Sequence, residues 1–238
     1  MLPIKNSIAF VTGANRGLGL AFAKELLRRG ASKVYAGVRN LETVDIPGVV
    51  AIRLDVTDPA SAAAAASQAS DVTLLVNNAG IAQLVPSALD PSHADVAGRI
   101  FDTNYFGVLH VTQAFAPVLA ANGGGAIVNI LSDASWLTYP FLAPYAASKS
   151  AAWSLTNATR TDLRAQGTLV QGVHVGFLDT DMTAGFDVPK TAPSTVAGLS
   201  LDGVEAGKEE IIADEGTLRT KASLSGAEAF YLNPPAIG

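Results

Sequence analysis

The chain reads as a doubly wound α/β domain, a parallel sheet between two layers of helices, and three observations predict it. Apolar runs of strand length alternate with helical patterns along the chain. Those runs are continuously apolar, as in strands buried on both faces, and the helices between them imply crossovers and parallel pairing. No stretch of Pro, Gly and Ser is long enough to act as a linker between domains, so residues 1–238 are expected to form one unit with a full core.

The first strand lies in SIAFVTG, followed by a glycine turn and the helix of LGLAFAKELLRRG. KVYAGVR and VVAIRLD supply the second and third strands; with only NLETVDIPG between them, the crossover helix is expected to be shortened or missing. PASAAAAASQAS is a helix, because alanine is the best helix former and a smooth alanine face packs closely on a sheet. DVTLLVNNAG is the fourth strand, GRIFDTNYFGVLHVTQAFAPVLAANG a long helix, and GAIVNILS the fifth strand. A helix follows Pro144, then the strand LVQGVHVGF, a helix near PSTVAGLSLDGVEAG, and a last strand in EEIIADE. Glycine and prolines punctuate DMTAGFDVPKTAPST after the penultimate strand, where residues 181–195 form either a lid over a site at the strand carboxyl ends or an ordinary surface loop.

Composition narrows the function. With 49% hydrophobic and 16% charged residues, the chain has apolar surface to bury against another subunit, and a homo-oligomer is expected. A net charge of −5 and the lack of a Lys/Arg-rich run argue against nucleic acid or a membrane surface as partner. The absence of cysteine excludes disulfides, thiolate metal sites and a cysteine nucleophile, and suits a reducing compartment. The N-terminal apolar run IAFV is too short for a signal peptide or a membrane span, so a cytoplasmic location is expected. His93, His110 and His174 lack companions at ligand spacing, and no metal is expected.

Chemistry concentrates in two motifs. TGANRGLG places Gly13, Gly17 and Gly19 after the first strand and at the head of the first helix, where backbone can approach a pyrophosphate favoured by the helix N-terminus. Arg39 follows the second strand where an NAD site usually carries an acid, and Arg16 lies inside the glycine turn. Two guanidinium groups there favour a 2′-phosphate, hence NADP(H) over NAD(H). In YAASK, Tyr145 and Lys149 share a helix face at i and i+4, and the ammonium is expected to lower the phenol's pKa toward usable acid/base chemistry. YxxxK alone would arise by chance in roughly one such composition in seven, so it needs company.

That company is present, and through it nearly the whole chain resembles the short-chain dehydrogenase/reductase family. TGANRGLG is similar to the family's TGxxxGxG turn, LDVTD to the segment whose Asp55 contacts adenine, and NNAG follows the fourth strand as in the family. DTNYFG supplies Asn104, NILS supplies Ser132, and Ser132 precedes Tyr145 by the family's usual interval. The resemblance implies a three-layered Rossmann fold and a carbonyl/alcohol substrate. It implies that Tyr145 gives its proton to a carbonyl oxygen as hydride arrives from the nicotinamide and that Ser132 stabilises the developing alkoxide. Lys149 would hold the nicotinamide ribose and Asn104 a water that replenishes the proton. The implied cofactor contacts are Gly13, Asn15, Arg16, Gly17, Leu18, Gly19, Arg39, Asp55, Val56, Asn77, Asn78, Ala79, Gly80, Tyr145, Lys149, Gly176, Leu178 and Thr180.

Departures and pocket residues complete the reading. Val175 replaces the family's usual proline before Gly176, and the C-terminus lacks a glycine-rich ending, which favours a dimer over the family's common tetramer. Ser135 lies three residues beyond Ser132 and competes for its role. Trp136, Leu137, Tyr139, Phe141 and Phe186 would form an apolar wall with few charges, suited to a lipophilic ketone or aldehyde; the other reading buries them under loops or in a subunit contact. The expected activity is NADPH-dependent carbonyl reduction. The alternatives are an alcohol dehydrogenase working mainly in oxidation and a non-catalytic NADP-sensing protein.

Overall fold

Seven parallel strands form one sheet in the computed structural model, which describes residues 2–236. They are β1 (Ile8–Thr12), β2 (Lys33–Val38), β3 (Val49–Arg53), β4 (Leu74–Asn77), β5 (Ala126–Ile130), β6 (Leu169–His174) and β7 (Glu210–Ile212), in the spatial order β3-β2-β1-β4-β5-β6-β7. The order reverses between β1 and β4, and in open α/β sheets ligands bind at the carboxyl ends beside such a switch point.

Alternation along each strand sorts the core into two layers. Ala9 and Val11 face α1 (Gly17–Arg28) and α6 (Pro193–Glu205), through Phe22, Leu26, Val196 and Leu201. Phe10 and Leu75 face α2 (Pro59–Gln68) and α4 (Gly107–Ala121), through Ala62, Ala65, Val111 and Phe115. α5 (Ala143–Asp162) contacts β6 and runs beside α3 (His93–Phe101). The doubly wound expectation therefore holds, including the alanine helix, whose buried face is Ala62, Ala65 and Ala66.

The crossover from β2 to β3 is a single 3₁₀ turn at Leu41–Thr43, as its length required. Two elements differ from the expectation. The long helix before β5 starts at His93 and is interrupted by a π turn at Asp102–Phe106 between α3 and α4. After β7 comes α7 (Glu215–Ser223), a mostly polar helix that hydrophobic periodicity does not reveal; Asp214 caps it by accepting the Thr217 N–H at 2.8 Å. Among the described residues no helix is long and apolar enough to cross a membrane.

Candidate active site

The glycine turn is shaped by close backbone packing. Gly13 and Gly17 adopt φ of +66° and +53°, a region that costs glycine nothing. A Cβ on Gly19 would stand 2.3 Å from the Gly13 carbonyl oxygen, so only glycine allows the turn to fold onto α1. Asp58 and Asp214 cap α2 and α7; α1 begins at Gly17, and like α5 and α6 it has no side-chain cap and no acid in its first turn. Its leading N–H groups suit an anion in place of a cap. The Leu18 side chain is buried in the core, leaving its backbone for that task, and Asn15 is half-buried beside the turn.

The loop after β4 is braced to this turn. The Thr12 hydroxyl accepts the N–H groups of Asn78 and Ala79, each at 2.9 Å. Asn78 Nδ2 donates to the carbonyls of Thr12 (2.9 Å) and Gly13 (3.3 Å). Asn77 turns inward instead: its Nδ2 donates to Thr112 of α4 and Asn129 of β5, a buried polar ladder that continues from Asn129 to Thr156. Its side chain therefore braces the sheet and does not face a ligand.

Arg16 and Arg39 take different partners. Arg16 reaches Asp181, beyond β6, at 3.5 Å, with both side chains exposed. Arg39 lies near Asp55, whose carboxyl is held below its usual range by hydrogen bonds from the Thr57 hydroxyl and N–H and, more weakly, by Arg39. Val56 is buried and packs against Gly107, where a Cβ would come within 2.8 Å. A Cβ on Gly17 would meet the Thr180 methyl at 3.4 Å, so the segment after β6 abuts the glycine turn. That segment closes through a bridge between Leu178 and Thr191.

The residues expected to carry acid/base chemistry meet at the carboxyl ends of β4 and β5. Asn104 sits in the π turn and is 1% exposed; its Oδ1 accepts the Ile81 N–H at 2.9 Å. Its Nδ2 donates to the Ile81 carbonyl (2.9 Å) and to Ser148 Oγ (3.0 Å), tying the loop that contains Gly80 to α5. Ser132 Oγ accepts the Ala134 N–H at 3.1 Å and donates to Asp133 Oδ1 at 3.0 Å. Ser135 is buried and donates to the Lys149 carbonyl at 3.2 Å, so it braces α5, and Ser132 is the serine close enough to act on the Tyr145 phenol.

Burial governs both partners in YAASK. The Tyr145 phenol is pushed up to about 12, chiefly by desolvation; the nearby Ser132 hydroxyl opposes the rise and the charge of Asp133 adds to it. Lys149 is brought down to about 8 by desolvation; its Nζ donates to the Ile130 carbonyl at 2.8 Å and lies 5.6 Å from the Tyr145 ring centroid. Lys149 is not among the groups that act on the phenol, and in place of the expected lowering burial raises it.

Several contributors were not read from the sequence. His174, dismissed as a ligand, is fully buried, and its Nδ1 lies 3.0 Å from the Ser132 carbonyl. Asp133 and Asp214 flank Gly176, whose N–H donates to Asp214 at 2.8 Å; the only signal for the first was an acid adjoining the serine. The expected aromatic wall divides. Trp136 is buried, stacked on His174 at 3.9 Å and edge-on to Trp153, and Leu137 is buried as well. Tyr139, Phe141 and Phe186 stack in succession and Phe177 leans on Phe186 at a tilt, forming a continuous rim.

Comparison with known proteins agrees with this geometry. The family profile described as short chain dehydrogenase matches residues 7–189. A gluconate 5-dehydrogenase of Gluconobacter oxydans (strain 621H) is 35% identical over 77% of this chain and 75% of its own length. A short chain dehydrogenase from Burkholderia cenocepacia J2315, solved in complex with NADP, superposes with a TM-score of 0.92 at 37% identity, covering 98% of this chain and all of that one. A short chain dehydrogenase/reductase from Burkholderia phymatum, in complex with NAD, superposes at 0.84 with 26% identity and 94% coverage of both chains. The chain belongs to the short-chain dehydrogenase family, an oxidoreductase family.

Proposed function

We propose that this short-chain dehydrogenase uses NADPH to reduce a lipophilic ketone or aldehyde to an alcohol. The observation that carries the reading is the meeting of Tyr145, Ser132 and Lys149 beside an uncapped helix N-terminus at the switch point of the sheet. The glycine turn fits a dinucleotide, since a Cβ on Gly19 would push the turn off α1 and no side chain caps α1.

The bound nicotinamide would supply the hydride. Tyr145 holds a proton throughout the neutral range and donates it to the substrate oxygen from its phenol. Ser132 turns its hydroxyl proton from Asp133 to that oxygen and stabilises the charge developing on it. Lys149, charged below about 8, orients the ribose hydroxyls and replenishes the proton on Tyr145. The Asn104 side chain is fully engaged with Ile81 and Ser148, so its role in holding a proton-relaying water belongs to its backbone carbonyl. The rim of Tyr139, Phe141, Phe177 and Phe186 supports an apolar substrate.

NADP(H) is supported by Arg39 and Arg16 at the adenosine end and by the NADP complex of the Burkholderia cenocepacia relative. Oxidation of an alcohol is the second reading, favoured by the dehydrogenase name of the Gluconobacter relative. The intact Asn104, Ser132, Tyr145 and Lys149 set counts against a purely sensing role. We read residues 1–238 as one domain, acting as a cytoplasmic homo-oligomer, a dimer in preference to a tetramer. The deciding experiment follows cofactor absorbance across ketones, aldehydes and alcohols with NADPH, NADH, NADP and NAD. Turnover confined to alcohol oxidation would overturn the reductive assignment, and no turnover with any of them would overturn catalysis.

A further inference from the structure

The mechanism leaves one carboxyl beside the reacting centre unused. Asp133 Oδ1 accepts the Ser132 hydroxyl at 3.0 Å, and its Oδ2 lies 3.4 Å from the position of a Cβ on Gly176. Asp214 reaches the same glycine, accepting its N–H at 2.8 Å and the Thr217 hydroxyl and N–H, each at 2.8 Å. Two carboxyls therefore bracket the carboxyl end of β6. Among the described residues no Lys or Arg stands within ion-pair distance of either. The nearby ammonium groups are engaged elsewhere, Lys149 with the Ile130 carbonyl and Lys221 with Glu210. The titratable groups facing Asp133 are Asp214 from the head of α7, Tyr145 from α5 and Tyr139 from its own loop.

We propose that Asp133, backed by Asp214, selects substrates by charge, admitting neutral carbonyl compounds and rejecting those with a carboxylate bonded directly to the reacting carbon. The inference rests on the reductase reading above and narrows its substrate class. A substrate oxygen in hydrogen-bond contact with Ser132 Oγ is about 2.8 Å away, which brings a neighbouring carboxylate to within roughly 5 Å of Asp133. Like charges at that distance in a partly desolvated cleft disfavour binding on the order of a hundredfold. Burial, with Asp214 adding to it, raises the Asp133 carboxyl above its ordinary range. An acid substrate can then enter with a proton on Asp133, so discrimination against it grows as pH rises through that raised value.

The test compares ethyl benzoylformate with benzoylformate, which share the ketone and differ in charge. The readout is the ratio of their kcat/KM values with NADPH, in which the ionisations of Tyr145 and Lys149 and any altered Ser132 contact cancel. Wild type should prefer the ester by about a hundredfold at mildly alkaline pH, with the ratio shrinking as pH falls. Asp133→Asn should reduce the ratio at least about tenfold and remove its pH dependence. An unchanged ratio in the variant overturns the inference while leaving the reductase reading intact. If the variant does not fold, the wild-type ratio decides: a value independent of pH overturns the inference. Absence of turnover with either compound, and with every other carbonyl tested, overturns both readings together.

Discussion

At the scale of single residues, the site divides labour between a phenol that keeps its proton and an ammonium poised to lose one. Tyr145→Phe should abolish reduction while leaving NADPH affinity nearly unchanged, because it removes the donor and little of the cofactor surface; a folded variant with normal turnover sinks the assignment. Ser132→Ala should lower kcat by roughly two to three orders of magnitude, as loss of an oxyanion-type donor does. Ser135→Ala, which cuts only a brace to the Lys149 carbonyl, should cost far less, and the reverse order would show that the serines have been exchanged. Lys149 carries a charge only below about 8, so the Kd for NADPH of the free enzyme should rise up to tenfold per pH unit above that value. Titrating binding by cofactor fluorescence checks this, and Lys149→Ala should flatten the curve at weak affinity. Tyr145, Ser132 and Lys149 could be proposed from the sequence because the motif that suggests their chemistry is a matter of spacing. His174 and Asp214 were not, since they reach the site only after β6 and β7 pair at the sheet edge.

At the scale of elements, the strands were legible because continuous apolar runs and short connections leave few ways to pair them, and the glycine turn because its spacing follows from backbone contact. Gly19→Ala would force a Cβ toward the Gly13 carbonyl, so NADPH binding should be lost while far-UV circular dichroism stays native; retained binding would show that the turn opens without cost. The π turn was not legible. It depends on tertiary packing: Gly107 lies against Val56, and Asn104 is drawn between Ile81 and Ser148. α7 escaped notice because its helix is anchored by the Asp214 cap and has only two buried side chains, Thr217 and Thr220. The loops after β1 and β2 carry the cofactor prediction. Losing a charge-assisted contact to a 2′-phosphate removes about 1.5–3 kcal/mol before screening. Arg39→Ala and Arg16→Ala should each lower kcat/KM for NADPH and spare NADH. Arg16 should matter less, since Asp181 already engages it across an exposed gap. Equal losses with both cofactors would overturn the assignment.

At the scale of the whole molecule, the carboxyl end of the sheet is built on two buried bases, and both make stability depend on pH in the same direction. Lys149 titrates near 8 in the folded chain against an ordinary 10.5, so the unfolded chain binds more protons between those values and stability rises with pH there. His174 is the sharper case. It is held down to about 4 against an ordinary 6.5, first by burial and then by the charges of Lys221, Lys149 and Arg160, with the hydrogen bond to the Ser132 carbonyl opposing them. As pH falls below 6.5 the unfolded chain takes up a proton that the folded chain refuses until about 4, so stability is lost across that window. Full traversal corresponds to about 3 kcal/mol at most. The upper end of the window lies above the carboxylates: Glu25, held near 2 by Arg28 and Arg29, loses its contribution only as pH drops below 4.5. Asp133 works in the opposite sense, since a raised carboxyl makes the folded chain the better proton acceptor. Urea unfolding at closely spaced pH values should therefore show stability already falling between about 6.5 and 5, ahead of the carboxylates. His174→Gln keeps a donor for the Ser132 carbonyl but cannot titrate, so its curve should be flat there and diverge from wild type as pH falls. Parallel curves for the two proteins would show that His174 is not the group whose protonation loosens the molecule.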